Sequence, residues 1–361
     1  MPHDSVRRTP LTYSSPVPSA GPARPPVTVF ATVRNEERDL RAAVAAVLAQ
    51  DYTGPMVFAL AIGPSTDATA AIAAELAAAD PRVVVVENPT GLTPQGLNIA
   101  VRAGIGAQPS SVYLIRTDGH AALPRDYVRT AVDTLERTGA DNVGGMMVPV
   151  GEGAVQEAVA FAMSHPVGLG GGRFHTGGGE GAADTVYLGS FRRATFERVG
   201  GYDEHWTRAQ DWELNLRLRE SGALVWFTPR MRVEYRPRGS FRALASQFHK
   251  TGRWRREVVR QYPRTASARY LAPPALVALV TLGFVVGVVG LATGSIAAWA
   301  LLLPVGYLVG VTVVALAVGR RLRPGVLVRL PAVLATMHLA WGSGYLRGRA
   351  VQGRPAVTRG A

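Results

Sequence analysis

The stretch VTVFATVRNEE at residues 27–37 and its counterpart VYLIRTDGH at residues 112–120 decide how this chain is read. Each begins as an apolar run that reads as a buried strand and stops at a turn crowded with polar groups. A helix-like stretch, Leu40 to Leu48, follows the first. The same alternation recurs between them. Val57 to Ile62 leads through Gly63-Pro64-Ser65-Thr66-Asp67 into the alanine-rich segment Ala68 to Ala79, and Val83 to Glu87 leads into Gly96 to Ala103. Strands alternating with helices predict an α/β fold with a mostly parallel, Rossmann-like sheet covered on both faces. Ligands of such sheets collect at the C-terminal strand ends, where these polar turns fall.

Composition narrows the class. The 361 residues are 47% hydrophobic and 18% charged, which suits a packed core and not wholesale disorder. No cysteine is present, so disulfides, thiolate metal sites and cysteine nucleophiles are excluded, and any metal must take oxygen and imidazole ligands. The formal charge of +13 is carried almost wholly by arginine, Lys250 being the only lysine. Basic residues crowd between Arg230 and Arg269, directly before an apolar segment, which suits an anionic membrane surface. No groove-reading module accompanies them, so nucleic acid is not expected as a partner.

Residues 1–25, rich in Pro, Ser and Arg and without an apolar core, read as a disordered tail and not a signal peptide. Residues 26–240 hold the catalytic domain and 241–270 a basic amphipathic juxtamembrane segment. Residues 271–346 form an anchor, and 347–361 a short tail. Within the anchor, Leu271 to Thr293 and Ile296 to Val318 are charge-free and near the length that crosses a bilayer. Thr293-Gly294-Ser295 joins them in a tight hairpin. Val326 to Leu346, which contains Arg329 and His338, is a third candidate that either spans or lies in the interface. Arg320, Arg321 and Arg323 return to the side of the basic segment, so the positive-inside rule places the large domain in the cytosol of a multi-pass protein of a bacterial-type cytoplasmic membrane.

Two clusters carry chemistry. Asp118 and His120 alternate in an extended stretch and point the same way, so together they can hold a divalent ion, although an ordinary strand-end turn reads the same. Gln210-Asp211-Trp212-Glu213 opens a helix marked by Leu214 and Leu218, with acids where the dipole favours them; that too is compatible with simple helix stabilisation. Together they supply a metal carboxylate and a separate candidate base, which transfer to a hydroxyl requires. Gly168 to Gly181 is expected to lack regular structure and to form either a mobile active-site loop or a passive surface loop. His175 within it is either a metal or phosphate ligand or a solvated loop histidine.

In this order the motifs resemble those of the family 2 glycosyltransferases of GT-A fold, in the subgroup that builds succinoglycan-type bacterial polysaccharides. The similarity runs from Val27 to about Trp254. VFATVRNEE at residues 29–37 resembles the strand and Asn-Glu turn beside the nucleotide, which implies donor contacts for Asn35 and Glu36. Ser65-Thr66-Asp67-Ala68-Thr69 resembles the family's Ser-Thr-Asp-Gly-Thr turn, implying the same for Ser65 and Asp67. Gly96-Leu97-Asn98 resembles the helix start that carries a nucleotide-facing Asn98. Asp118-Gly119-His120 occupies the place of the DxD metal motif, so the resemblance implies Mg²⁺ or Mn²⁺ on Asp118 and His120, with Asp118 also facing the donor. GSFRRATFERVGGYDE at residues 189–204 resembles the acceptor-side segment, with Arg192 and Arg193. Gln210-Asp211 falls on the Glu-Asp motif whose Asp is the catalytic base, with Trp212 beside it. Gln247, Arg253 and Trp254 are similar to the Gln-x-x-Arg-Trp motif of processive members, at a longer spacing that argues against polymerisation. Ile62 and Gly63 stand where the family has an acidic pair that holds the base of the nucleotide.

The resemblance implies a metal-dependent hexosyltransferase that moves a sugar, with inversion, from a nucleotide-sugar donor to a hydroxyl of a lipid-linked glycan, in cell-envelope or exopolysaccharide synthesis and in contact with membrane lipids. Arg192 and Arg193, or the arginines from Arg253 to Arg256, either contact the diphosphate of that acceptor or serve as membrane-surface charge. Transfer to a polyprenyl phosphate, and a catalytically silent membrane-bound homologue, are the alternatives.

Overall fold

The computed structural model describes residues 24–348, so the segment expected to be disordered at residues 1–25 and the tail at residues 347–361 fall almost wholly outside the described residues. The first half runs β1 (Val27–Val33), α1 (Leu40–Leu48), β2 (Met56–Ile62), α2 (Thr69–Ala79), β3 (Val83–Glu87), α3 (Thr93–Ala107) and β4 (Tyr113–Arg116). The second continues through α4 (Tyr127–Thr138), β5 (Asn142–Pro149), α5 (Ala154–Ser164), α6 (Pro166–Leu169), α7 (Arg173–Thr176), β6 (Gly181–Ala182) and β7 (Tyr187–Arg192). It ends with α8 (Arg193–Arg198), α9 (Gln210–Glu220), β8 (Val225–Tyr235) and α10 (Phe241–Gln261).

The strands form one eight-stranded sheet in the order β3-β2-β1-β4-β7-β5-β8-β6. Pairings are parallel from β3 through β4 and between β5 and β8, while β7 runs antiparallel to both its neighbours. The period of two along a strand sorts the core into two layers. Val27, Val29, Ala31 and Val33 of β1, with Tyr113 and Ile115 of β4, pack under α1, α2 and α4. Phe30 and Leu114 point the other way, under α3, α8 and α9. Arg116 shares the face of Leu114, and this decides what it meets.

The glycine-rich stretch differs from expectation. The four residues Arg173-Phe174-His175-Thr176 between its glycine runs wind into a helical turn, α7, and Gly181 and Ala182 pair with β8 as β6. A single turn needs only one closing hydrogen bond, so flanking glycines do not prevent it.

The C-terminal region contains α11 (Ala268–Thr293), a 3₁₀ turn at Ile296–Leu301, α12 (Leu302–Val318), α13 (Pro324–Leu327) and α14 (Leu330–Arg347). Three helical stretches are long and apolar enough to cross a membrane: Ala268–Thr293, Ile296–Val318 and Pro324–Arg347. Gly294, at φ 65°, closes the tight hairpin expected between the first two. Arg323 ends on the domain side, where its Nε lies 2.8 Å from Glu157 of α5. α14 lies beside α10: a Cβ on Gly252 would sit 2.0 Å from the Trp341 carbonyl oxygen, and one on Gly344 2.0 Å from that of His249. Only glycine allows this approach. A third core, with Ala158 and Val159 of α5, Leu244 and Phe248 of α10 and Val333 and Met337 of α14, ties the apolar helices to the domain.

Candidate active site

Arg116 closes β4 and is only 5% exposed. Its Nη1 donates to Oδ1 of Asp211, and its Nη2 lies 3.2 Å from Oδ1 of Asp118. The guanidinium carbon stands 5.9 Å from the centre of the Tyr202 ring. Burial disfavours the charge, but Asp211 and then Asp118 outweigh it and hold Arg116 firmly protonated. Asp118 and Asp211 therefore meet through Arg116, to which the sequence alone assigned no role. An arginine ending an otherwise apolar buried run was the available signal, because a buried guanidinium needs partners.

Asp211 lies in the first turn of α9, after Ala209 at φ 62°, a left-handed conformation that costs a β-carbon-bearing residue energy. Asn215 braces this start. Its Nδ2 donates to the Asp211 carbonyl at 2.7 Å, while its Oδ1 accepts from Asn142 Nδ2 of β5 at 2.7 Å. Asp211 is thus presented by a helix tied to the central sheet.

On the donor side, the expected residues mostly bind one another. Asn35 adopts φ 55°, and its Oδ1 accepts from the Thr66 amide at 2.9 Å, while its own amide donates to Ser65 Oγ at 3.1 Å. Asp67 accepts from the amides of Thr69 at 3.0 Å and Glu37 at 3.2 Å, and the Thr69 hydroxyl is the leading cause of its lowered pKa. These contacts weld the turns after β1 and β2 into one platform. Asn98 departs further from expectation. Its amide clasps Tyr202 on both sides, donating to the carbonyl at 2.8 Å and accepting from the N–H at 3.0 Å, so both ends of the side chain already serve the loop after α8.

Glu36 reaches His120, with Oε1 2.9 Å from Nδ1. That hydrogen bond is the main cause of the raised His120 pKa, against desolvation. Among the described residues no three His, Asp or Glu side chains come together to hold an ion by themselves. Asp118 and His120 are of ligand types suited to a divalent ion, but by themselves they supply only two ligands. With Nδ1–H on Glu36, Nε2 carries the lone pair, the tautomer a metal ligand needs.

The expected acceptor-side residues divide. Arg192 and Arg193 are corrected. Because β7 is antiparallel, Arg192 pairs with Tyr113 at the start of β4, the edge of the sheet opposite Arg116. There Arg192 donates to the carbonyls of Ala140 at 2.9 Å and Leu135 at 2.6 Å, and Arg193 pairs with Glu197 at 2.8 Å. Gln247 is bound within its own neighbourhood, 3.1 Å from the Tyr235 hydroxyl. Arg253 donates to the Gly348 carbonyl at 2.8 Å and lines a separate groove of about 680 Å³. Gln210, Asp211, Trp212 and Trp254 do converge, on a cavity of about 2620 Å³. Its far wall comes from Ala272, Pro273 and Leu276 of α11 and from Met337, His338 and Trp341 of α14. Arg255, two residues beyond Arg253 and so on another face of α10, lines the cavity in its place.

A mostly parallel nucleotide-type sheet, with an acid-bearing turn at one strand end and a second acid held over it by a helix start, defines a group-transfer enzyme of GT-A architecture. The chain belongs to the family 2 glycosyltransferases. The model of glycosyl transferase family 2 matches residues 28–200. The chain is 35% identical over 291 residues to the succinoglycan biosynthesis protein ExoA of Rhizobium meliloti (strain 1021), covering 80% of this chain and 84% of that protein. Among solved structures, the mannosyltransferase PcManGT from Pyrobaculum calidifontis in complex with GDP-Man and Mn²⁺ shares the fold over 88% of each chain, with a TM-score of 0.52 and 19% identity.

Proposed function

We propose that this glycosyltransferase moves a sugar, with inversion, from a nucleotide-sugar donor to a hydroxyl of a lipid-linked glycan in exopolysaccharide or cell-envelope synthesis. The observation that carries the reading is the cavity that runs from Asp211 to the apolar helices α11 and α14. A soluble acceptor has no need of a wall made from membrane-type helices. An acceptor whose lipid stays in the bilayer does.

Asp211 accepts the proton of the acceptor hydroxyl. That oxygen forms its bond to the anomeric carbon as the bond to the nucleoside diphosphate breaks, and the electron pair leaves with the diphosphate. Arg116 fixes one carboxylate oxygen of Asp211, which aims the other at the acceptor. Asp118 and His120 would hold a Mg²⁺ or Mn²⁺ ion, which neutralises charge developing on the leaving diphosphate. Glu36 orients His120 for that task. The domain faces the cytosol, with Arg323 and the basic α10 on one side of the apolar hairpin. α14, laid along the charged helix α10, rests in the interface and does not span.

Asp211→Asn is expected to lower transfer by about 10²–10⁴-fold while leaving donor binding nearly intact. Undiminished transfer would remove Asp211 as the base and favour a polyprenyl phosphate acceptor, which is already anionic and needs none.

A further inference from the structure

One pair of cations in the cavity lacks the partners that other withdrawn arginines have. Arg116 is matched by two carboxylates, Arg217 by Glu213 at 2.6 Å, and Arg192 by backbone carbonyls. Arg255 of α10 and Arg269 of α11 instead converge on one aromatic ring. Their guanidinium carbons stand 4.0 Å and 5.3 Å from the centre of Tyr270, and Arg255 also lies 4.6 Å from the centre of Trp212. Among the described residues neither forms an ion pair, and Nη1 of Arg255 is buried without a hydrogen-bond partner. Burial, and then the charge of Arg269, push the pKa of Arg255 down. Arg255 is half-buried and Arg269 exposed, so water reaches the pair, but two like charges on one ring still favour an anion between them.

The surroundings are shaped for such an anion. Gly170, at φ 69°, lies so close to Arg269 that a Cβ there would sit 3.1 Å from its Nε. The glycine therefore lets the Arg269 side chain pass close to the loop backbone. His175 of the same loop has a buried Nδ1 without a partner, and burial keeps the ring neutral. Depth also matters. Tyr270 at the start of α11 and Trp341 and Tyr345 near the end of α14 form a ladder of rings 6.4 Å and 5.7 Å apart. Aromatic belts of this kind mark the headgroup level of a bilayer. Trp212, which stacks on Arg255, directly follows Asp211, so this cationic pocket adjoins the acceptor end of the active site.

We propose that Arg255 and Arg269, with His175, form a binding site for the phosphate or diphosphate group of the acceptor, separate from the donor site at Asp118 and His120. The proposal rests on the lipid-linked acceptor reading above and adds the group by which the acceptor is held. Planar guanidiniums braced on aromatic faces keep their N–H forks free for bidentate contact with phosphate oxygens.

The test uses the full chain in detergent micelles with chelator present, and radiolabelled farnesyl diphosphate as probe. Saturable binding is expected, weakened about tenfold or more by Arg255→Gln or Arg269→Gln and unchanged by Arg253→Gln, which removes the same charge from another face of α10. Arg255→Lys, which keeps the charge and loses the fork, is expected to fall between. Inorganic pyrophosphate competing as well as unlabelled probe would assign the site to free phosphate; weak competition would assign it to a lipid-borne one. Farnesol competing equally, equal loss with Arg253→Gln, or full binding by both Gln variants overturns the proposal. Transfer to lipid-linked and lipid-free acceptors, compared on the same preparation, tests the underlying reading separately. Equal rates there reject the lipid acceptor while the binding assay still decides the anion site.

Discussion

Arg116 at the end of β4 and Arg255 on α10 both reach the first turn of α9, at Asp211 and Trp212, and they are treated in opposite ways. Arg116 touches two carboxylates at the strand ends, while Arg255 in the membrane-facing cavity touches only rings. A matched buried charge belongs to the scaffold: it holds Asp118 and Asp211 in register whether or not substrate is bound. An unmatched one stores electrostatic cost that a ligand can relieve. The strand-end region is therefore preorganised, and the cavity is receptive.

Arg116→Met breaks this contrast most severely. It leaves two carboxylates without their cation; because Asp118 and Asp211 are partly exposed, water screens them and the cost falls below the about 3–5 kcal/mol of a fully buried broken pair. A large fall in the thermal midpoint, together with loss of transfer, is expected; wild-type stability would show that Arg116 is not the brace between the acids.

The donor side can be probed more gently. Glu36→Gln keeps the shape but weakens the hydrogen bond that orients His120, so the metal concentration for half-maximal activity should rise about 10–100-fold. A metal titration that does not move would reject His120 as a ligand oriented by Glu36. Asn98→Ala distinguishes clasp from donor contact. Losing both hydrogen bonds to Tyr202 should lower stability by about 1–3 kcal/mol with little change in the KM for donor, and a rise in that KM at constant stability would restore the nucleotide-facing role.

The smallest effect concerns pH. The pKa of His175 is pushed from 6.5 to about 3, first by burial and then by Arg269. Above pH 6.5 the ring is neutral whether this segment is packed or locally unfolded, so packing carries no proton penalty. As pH falls from 6.5 toward 3, the unfolded segment takes up a proton that the packed one refuses, and packing weakens. His175→Gln should flatten the pH dependence of loop protection, read by hydrogen exchange between pH 5 and pH 7; an unchanged profile assigns that dependence elsewhere.

The strands β1 to β4, their alternation with helices and the hairpin of α11 and α12 were legible because each depends on side chains near in sequence. The apolar run of residues 27–33 and the charge-free stretches after residue 270 need only their own pattern to be recognised. Asp118 and Asp211 stood out only as a pair and through the family resemblance, since each alone reads equally as a strand-end turn or a stabilised helix start. Arg192 and Arg193 were misplaced for a nameable reason. Strand direction is set by the whole topology, and the reversal of β7 carries Arg192, and Arg193 just after it, to the strand ends opposite Arg116.

Taken alone, the sequence determined that a nucleotide-type sheet precedes an apolar C-terminal region, and that two acids are available for transfer. Only the tertiary structure decided that Arg116 joins those acids. It alone showed that Asn98 clasps a loop and that Arg255, not Arg253, faces the cavity. The physical reason is that burial and pairing of charge are properties of neighbours in space. The 95-residue separation of Arg116 and Asp211 leaves no local trace of their contact in the chain.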